Sequence, residues 1–175
     1  MGRPRQHAPE LTRRATESCL MATDLSALLQ GGVIIPFHEA TSRKQAIHVL
    51  CEALSEATGI GARAIEDAVM ERERLGSTGV GEGVAIPHAR LSGLTAPVGG
   101  FLRLAQGVDF EAIDDRPCDL IFMLLAPDGA GADHLRALAQ VSRFFRQAAV
   151  RDGLRKARNE NEIKSLICKD PVVGG

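Results

Sequence analysis

The stretch CDLIFMLLAP, residues 118–127, limits the folds open to this chain more than any other. It carries one charge near its start and no alternation of apolar and polar side chains. A strand of that composition has two apolar faces, so it belongs inside a sheet covered on both sides. The sequence around it supplies the covers. DLSALLQ (24–30) reads as a short helix and VIIPF (33–37) as a short strand. SRKQAIHVLCEALSEA (42–57) opens with a capping-box pattern, Ser42 to Gln45, carries Ile47, Leu50 and Leu54 at helical spacing, and stops at Gly59 and Gly61. ARAIEDAVMERERL (62–75) is a second helix, ended by Gly76. GVAIP (83–87) is extended, because Pro87 turns Ile86 away from helix. VGGFLRLA (98–105) is a strand, DHLRALAQVSRFFRQAA (133–149) a long helix, and one or two short helices follow through Ile167. The expected fold is α/β: a mixed sheet between layers of helix.

At 175 residues the chain has room for one well-buried domain, and two would be cramped. A net charge of −1 gives no electrostatic reason to expect nucleic acid or an anionic membrane as partner. No apolar stretch approaches the roughly 20 residues that span a bilayer. Cys19, Cys51, Cys118 and Cys168 lie far apart with no metal-ligand spacing, which suits reduced thiols of a cytoplasmic protein. The five histidines are scattered, so zinc has no local signature. Residues 1–20 are arginine-rich and lack apolar periodicity. Arg13 and Arg14 suggest an export signal, but no apolar segment follows them. We therefore expect a disordered basic tail over 1–20, with Met21 as a possible natural start, a single domain over 21–169, and a flexible C-terminus over 170–175.

The segment GSTGVGEGVAIPHAR (76–90) raises a chemical question. Gly76, Gly79, Gly81, Gly83 and, further on, Gly93 bracket His88. Alternating glycines suit positive φ or a close backbone approach, and such a loop can cradle phosphate, although GxGxG alone is a weak signal. Pro87 stiffens the approach and belongs at a strand end or edge. A rigid histidine placed there can act as base, metal ligand or nucleophile; nucleophilic use needs a neutral ring with one nitrogen free and the other donating to an acceptor. The alternative is a histidine that only ends a strand and bonds a carbonyl.

Two further residues bear on that choice. In the helix 62–75, Ile65, Ala68, Val69 and Arg72 fall on one stripe, so Arg72 points where apolar residues point, unlike Glu71 and Glu73. A guanidinium there requires an internal acid or a bound anion such as phosphate. His134, with Asp133 as expected N-cap, stands in the first turn of its helix on a face with Leu138, Val141 and Phe145. The positive helix end disfavours imidazolium and favours an arriving anion; a satisfied core histidine is the alternative. His48 shares a face with Lys44, Cys51, Glu52 and Ser55 and reads as solvated, while His38 and His7 receive no role.

STGVGEGVAIPHA closely resembles the phosphorylation-site motif of the mannitol/fructose class of enzyme IIA domains of the bacterial sugar phosphotransferase system, best of all their nitrogen-regulatory branch. The similarity runs from about Asp24 to Ile167 and includes FHEATSRKQAI, ERERLGSTGVGEGVAIPHARL and VDFEAIDDRPCDLIFMLLAPDGAGADHLRAL. The resemblance implies a mixed five-stranded sheet with helices on both faces. It implies that His88 accepts a phosphoryl group from a phosphocarrier related to HPr, and that Arg72 and His134 line the site. Phosphoryl transfer has a loose transition state with charge on the equatorial oxygens, so positioning and electrostatics carry the catalysis. On this reading a backbone carbonyl holds one N–H of His88, Arg72 neutralises the phosphoryl oxygens and His134 donates to them. The loop amides of Ser77, Thr78 and Gly79 add phosphate-binding donors. No metal or cofactor is called for. An exposed apolar docking patch is expected, with Leu91, Leu94 and the Phe144–Phe145 region as candidates. Three functions stay open: a regulatory phosphoacceptor acting on transporters or kinases that the sequence does not name, a sugar-specific enzyme IIA feeding an enzyme IIB, and a binding module in which His88 is structural.

Overall fold

The computed structural model describes residues 25–168; the basic tail, Met21, Cys19 and the segment 170–175 lie outside them. In chain order the elements are α1 (Ser26–Leu29), β1 (Val33–His38), α2 (Arg43–Thr58), α3 (Ala62–Leu75), β2 (Gly79–Gly81), β3 (Val84–Ala85), β4 (His88–Leu91), β5 (Val98–Val108), β6 (Cys118–Pro127), α4 (Ala132–Arg146), α5 (Ala148–Lys156) and α6 (Glu160–Ile167).

β6 lies inside the sheet, as its two apolar faces require. It pairs antiparallel with β5 on one side and parallel with both β3 and β4 on the other. β1 runs parallel to β5 at one edge, and β2 runs antiparallel to β3 at the other. Six strand segments thus fill five positions: β3 matches Leu120–Ile121 of β6, and β4 matches residues 124–127 of the same strand. Pro87 interrupts what would otherwise be one strand, since it brings no N–H to the ladder. Its carbonyl still accepts from Leu124 N at 2.9 Å.

The period of two along β6 divides the core. Ile121, Met123 and Leu125 pack with α2 and α3 residues such as Ile47, Leu50, Ile65 and Val69. Leu120, Phe122 and Leu124 pack on the opposite face with Leu28, Val141, Phe144, Leu154 and Ile163. The same alternation runs through the interrupted strand. Val84 and Ile86 belong to the α4 side, while Ala85, Ala89 and Leu91 belong to the α2–α3 side.

The helix ends follow local chemistry. Ser42 Oγ accepts from Gln45 N at 3.2 Å, the forward half of the expected capping box. Gln45 Oε1 reaches back to Thr41 N at 2.8 Å, one residue further than the motif prescribes. Gly59 closes α2 in the left-handed region at φ 78°.

Two helix expectations need correction. The helix over 133–149 is two helices, because Gln147 turns to an extended ψ of 116°. The break is stabilised by Arg151, whose guanidinium donates to the carbonyls of Phe145 and Arg146 at 2.9 and 2.8 Å. Asp133 is not the N-cap of α4: Gly131 holds that place, and Asp133 lies within the first turn.

Candidate functional site

A shallow cleft of about 390 Å³ opens beside β4, lined by Ala68, Glu71, Arg72 and Leu75 of α3, His88, Ala89 and Arg90 of β4, and His134, Leu135 and Leu138 of α4. β4 has β6 on one side and no strand on the other among the described residues, so the two helix layers can both reach this edge. His88 continues the phase of Val84 and Ile86, two and four residues earlier, but stands past the end of the core, half-buried. The interrupted strand therefore delivers a side chain of core orientation to an open edge.

His88 Nδ1 lies 2.9 Å from Ile86 O. A carbonyl can only accept, so Nδ1 carries the proton and the neutral ring holds its lone pair at Nε2. Nε2 makes no hydrogen bond among the described residues. Burial lowers the pKa of His88 below its ordinary value of 6.5 and nearby Arg72 lowers it further, against the raising effect of the Ile86 carbonyl. The His134 ring sits with its centroid 5.6 Å from that of His88, tilted by 50°. His134 is 4 % exposed, and its Nδ1 is buried with no hydrogen-bond partner among the described residues. A ring nitrogen left so is costly unless an arriving group satisfies it. Burial, His88 and Arg90, in that order, lower the pKa of His134, so both rings are neutral at pH 7.

Arg72 donates from Nη1 to Gly76 O at 2.9 Å, which closes the end of α3 and fixes the guanidinium while its other N–H groups remain for an anion. Its place on the helix differs from the sequence reading. The buried stripe of α3 is Ile65, Val69 and Glu73, at i, i+4 and i+8, and Arg72 lies at its border with Ala68, facing the cleft. Glu73 is the buried charge, 5 % exposed. It accepts from the Thr78 hydroxyl and pairs with Arg43 at 3.5 Å. Burial raises its pKa, opposed by the Thr78 hydrogen bond and then by Arg43. Its spacing from Val69 was the signal available in the sequence.

Ser77, Thr78 and Gly79, expected to bind phosphate, do not line the cleft. The Ser77 hydroxyl donates to Phe110 O, the Thr78 hydroxyl is spent on Glu73, and Gly79 N donates to Ser77 Oγ at 3.0 Å. The glycines serve packing instead. A Cβ on Gly79 would stand 2.8 Å from Ala112 Cβ and 3.0 Å from its Cα, and Gly83 takes φ +78° in the turn between β2 and β3. The expected docking residues also move. Leu91, Phe144 and Phe145 are buried in the core and Leu94 is half-buried against it, whereas Leu75 and Leu135, 82 % and 65 % exposed, flank the cleft. Arg90, which the sequence reading passed over, is the cleft's second guanidinium.

Away from the cleft, His48 is exposed as expected and pairs with Glu66 at 2.9 Å and Glu52 at 3.3 Å. Cys51, placed on its face by the sequence reading, is instead buried. His38 is the last residue of β1, one position beyond the expected strand 33–37. No helix among the described residues is long and apolar enough to cross a membrane.

A three-layer α/β domain with an open cleft of guanidiniums and neutral imidazoles at one sheet edge is the class that fold and site define. The chain belongs to the phosphoenolpyruvate-dependent sugar phosphotransferase system EIIA 2 family, which matches it over residues 27–170. It is therefore a phosphotransferase-system component. It is 42 % identical over 148 residues to a nitrogen regulatory protein of Bradyrhizobium diazoefficiens, covering 85 % of this chain and 97 % of the relative. A fructose-specific EIIA component of Haloferax volcanii is 34 % identical over 148 residues, covering 84 % of this chain and 96 % of that one. The crystal structure of nitrogen regulatory protein IIA-Ntr from Neisseria meningitidis superposes with a TM-score of 0.75 at 30 % identity, covering 82 % of this chain and 98 % of its own.

Proposed function

We propose that this protein is a regulatory phosphoacceptor: His88 takes a phosphoryl group from an HPr-like phosphocarrier, and the phosphorylated state reports nitrogen or carbon status to partner proteins. One observation carries the reading. Nδ1 of His88 is held on Ile86 O, which leaves Nε2 unbonded in a cleft beside Arg72 and His134. The Nε2 lone pair forms the new N–P bond as the carrier's N–P bond breaks, and that bond's electron pair returns to the carrier's imidazole. Positive charge developing on the His88 ring is shared with the Ile86 carbonyl through Nδ1–H. Arg72 meets the equatorial oxygens, and His134 donates to one of them beside the positive end of α4. No group in this scheme activates water, which suits an intermediate that must outlast the encounter. Leu75 and Leu135 give the carrier an apolar rim for a transient contact. Roughly two new negative charges on that rim then change what binds there.

The Haloferax relative favours a second reading, a fructose-type enzyme IIA that passes the group to an enzyme IIB. Incubation with phosphorylated carrier, followed by mass mapping of acid-labile phosphate, is expected to place the label on His88 and to find none on His88→Ala. Label retained by His88→Ala would overturn the phosphoacceptor assignment and favour a binding module or another site. Onward transfer to a fructose-type enzyme IIB at a rate matching uptake would favour the second reading.

A further inference from the structure

Arg90 is exposed and lines the same cleft as His88, and its guanidinium makes no hydrogen bond or ion pair among the described residues. Its position follows from the strand. Residues two apart on β4 face the same way, about 7 Å apart along the chain, so Arg90 extends the row Val84, Ile86, His88. Other arginines near the sheet are committed. Arg103 donates to the carbonyls of Leu154, Arg155 and Ala157, and Arg155 to Asp119. Arg72 enters the cleft from α3, Arg90 from β4, and each imidazole has its own guanidinium neighbour: His88 responds to Arg72, His134 to Arg90. Two guanidiniums face a single carboxylate, Glu71, and both rings are neutral. A phosphoryl group brings roughly two negative charges. Arg72 alone leaves about one of those charges unbalanced.

Resting on the phosphoacceptor reading, we propose that Arg90 is the second anion-holding residue of the cleft, gripping the phosphoryl group on His88 from the strand side opposite Arg72. Its effect falls on the phosphorylated state, where a charge-assisted N–H···O bond forms, more than on the empty one. Arg90 thereby sets how far the phosphoryl group moves from carrier to this protein. A residue that merely greets an acidic carrier surface would change the rate of encounter and leave that equilibrium alone.

The test measures the equilibrium partition of phosphoryl group between carrier and protein for the unaltered chain, Arg90→Gln and Arg90→Lys. It also follows the 31P titration of each phosphorylated protein after the carrier is removed. Arg90→Gln is expected to shift the partition about tenfold toward the carrier and to raise the phosphoryl titration midpoint, with Arg90→Lys between. A partition within twofold of the unaltered chain, with an unmoved 31P midpoint, would overturn the assignment to Arg90. Unchanged circular dichroism for Arg90→Gln separates this effect from misfolding. Label on His88→Ala, or none on the unaltered chain, would remove the underlying phosphoacceptor reading. A clean His88→Ala blank with an indifferent Arg90→Gln would remove only this one.

Discussion

On the proposed phosphoacceptor reading, the ionisation of one imidazole decides whether the cleft can act. His88 is neutral above a pKa that burial has pushed below 6.5, and only the neutral ring has a lone pair at Nε2. Acceptance of phosphate is therefore expected to decline in acid with a midpoint below pH 6.5, with rates read from rapid-quench transfer. A decline already complete at 6.5 would contradict the environment described. The same shift has a stability consequence of definite sign. His88 and His134 bind protons less readily folded than unfolded, so both subtract stability as pH falls from 6.5 through their folded values. At this scale the sequence was legible where a residue's type was unusual for its place. His88 after a stiff Pro87 stood out; Arg90 did not, because a charged residue on a short strand is the ordinary solvated case. Glu73 was misjudged for a related reason. A carboxylate on an amphipathic helix reads as solvent-facing until a loop from elsewhere brings a hydroxyl, here that of Thr78, to meet it.

Among the elements, the loop between α3 and β4 acts as a frame rather than a cradle. Its side-chain hydroxyls bond Phe110 O and Glu73, and its turn at Gly83 is wedged beside Asp119. Gly83→Ala would have to hold φ +78°, with its Cβ 2.8 Å from Asp119 Oδ1. A loss of about 2 kcal/mol is expected in urea unfolding followed by circular dichroism, the chain having no Trp or Tyr. An unchanged midpoint would show that the turn relaxes freely. Helices α2 and α3 were readable almost to the residue because caps and glycines are local signals. The split between α4 and α5 was not, since the guanidinium that stabilises it comes from Arg151, on the following helix.

Across the whole molecule, two apolar clusters lie on either side of one sheet, and the one beneath α2 and α3 buries Cys51 and Cys118 completely. Burial pushes both thiols up to about 12, far from thiolate at neutral pH. Thiol alkylation at pH 8 is expected to spare both in the native protein and to modify both in denaturant, as read by peptide mass mapping. Reaction at native rates comparable to a free thiol would mean that the core opens locally far more readily than global unfolding allows.

By itself the sequence determined the layered α/β class, the central place of residues 118–127 and the presentation of His88 just after a proline-stiffened extended run. Each of these follows from periodicity or from residue type within a few positions along the chain. Only the tertiary structure decided that Ser77, Thr78 and Gly79 face inward, that Glu73 is the buried charge, and that Arg90 joins Arg72 around the histidines. Those outcomes depend on which distant segments meet at one sheet edge, and hydrophobic patterning specifies faces, not the neighbours that will stand opposite them.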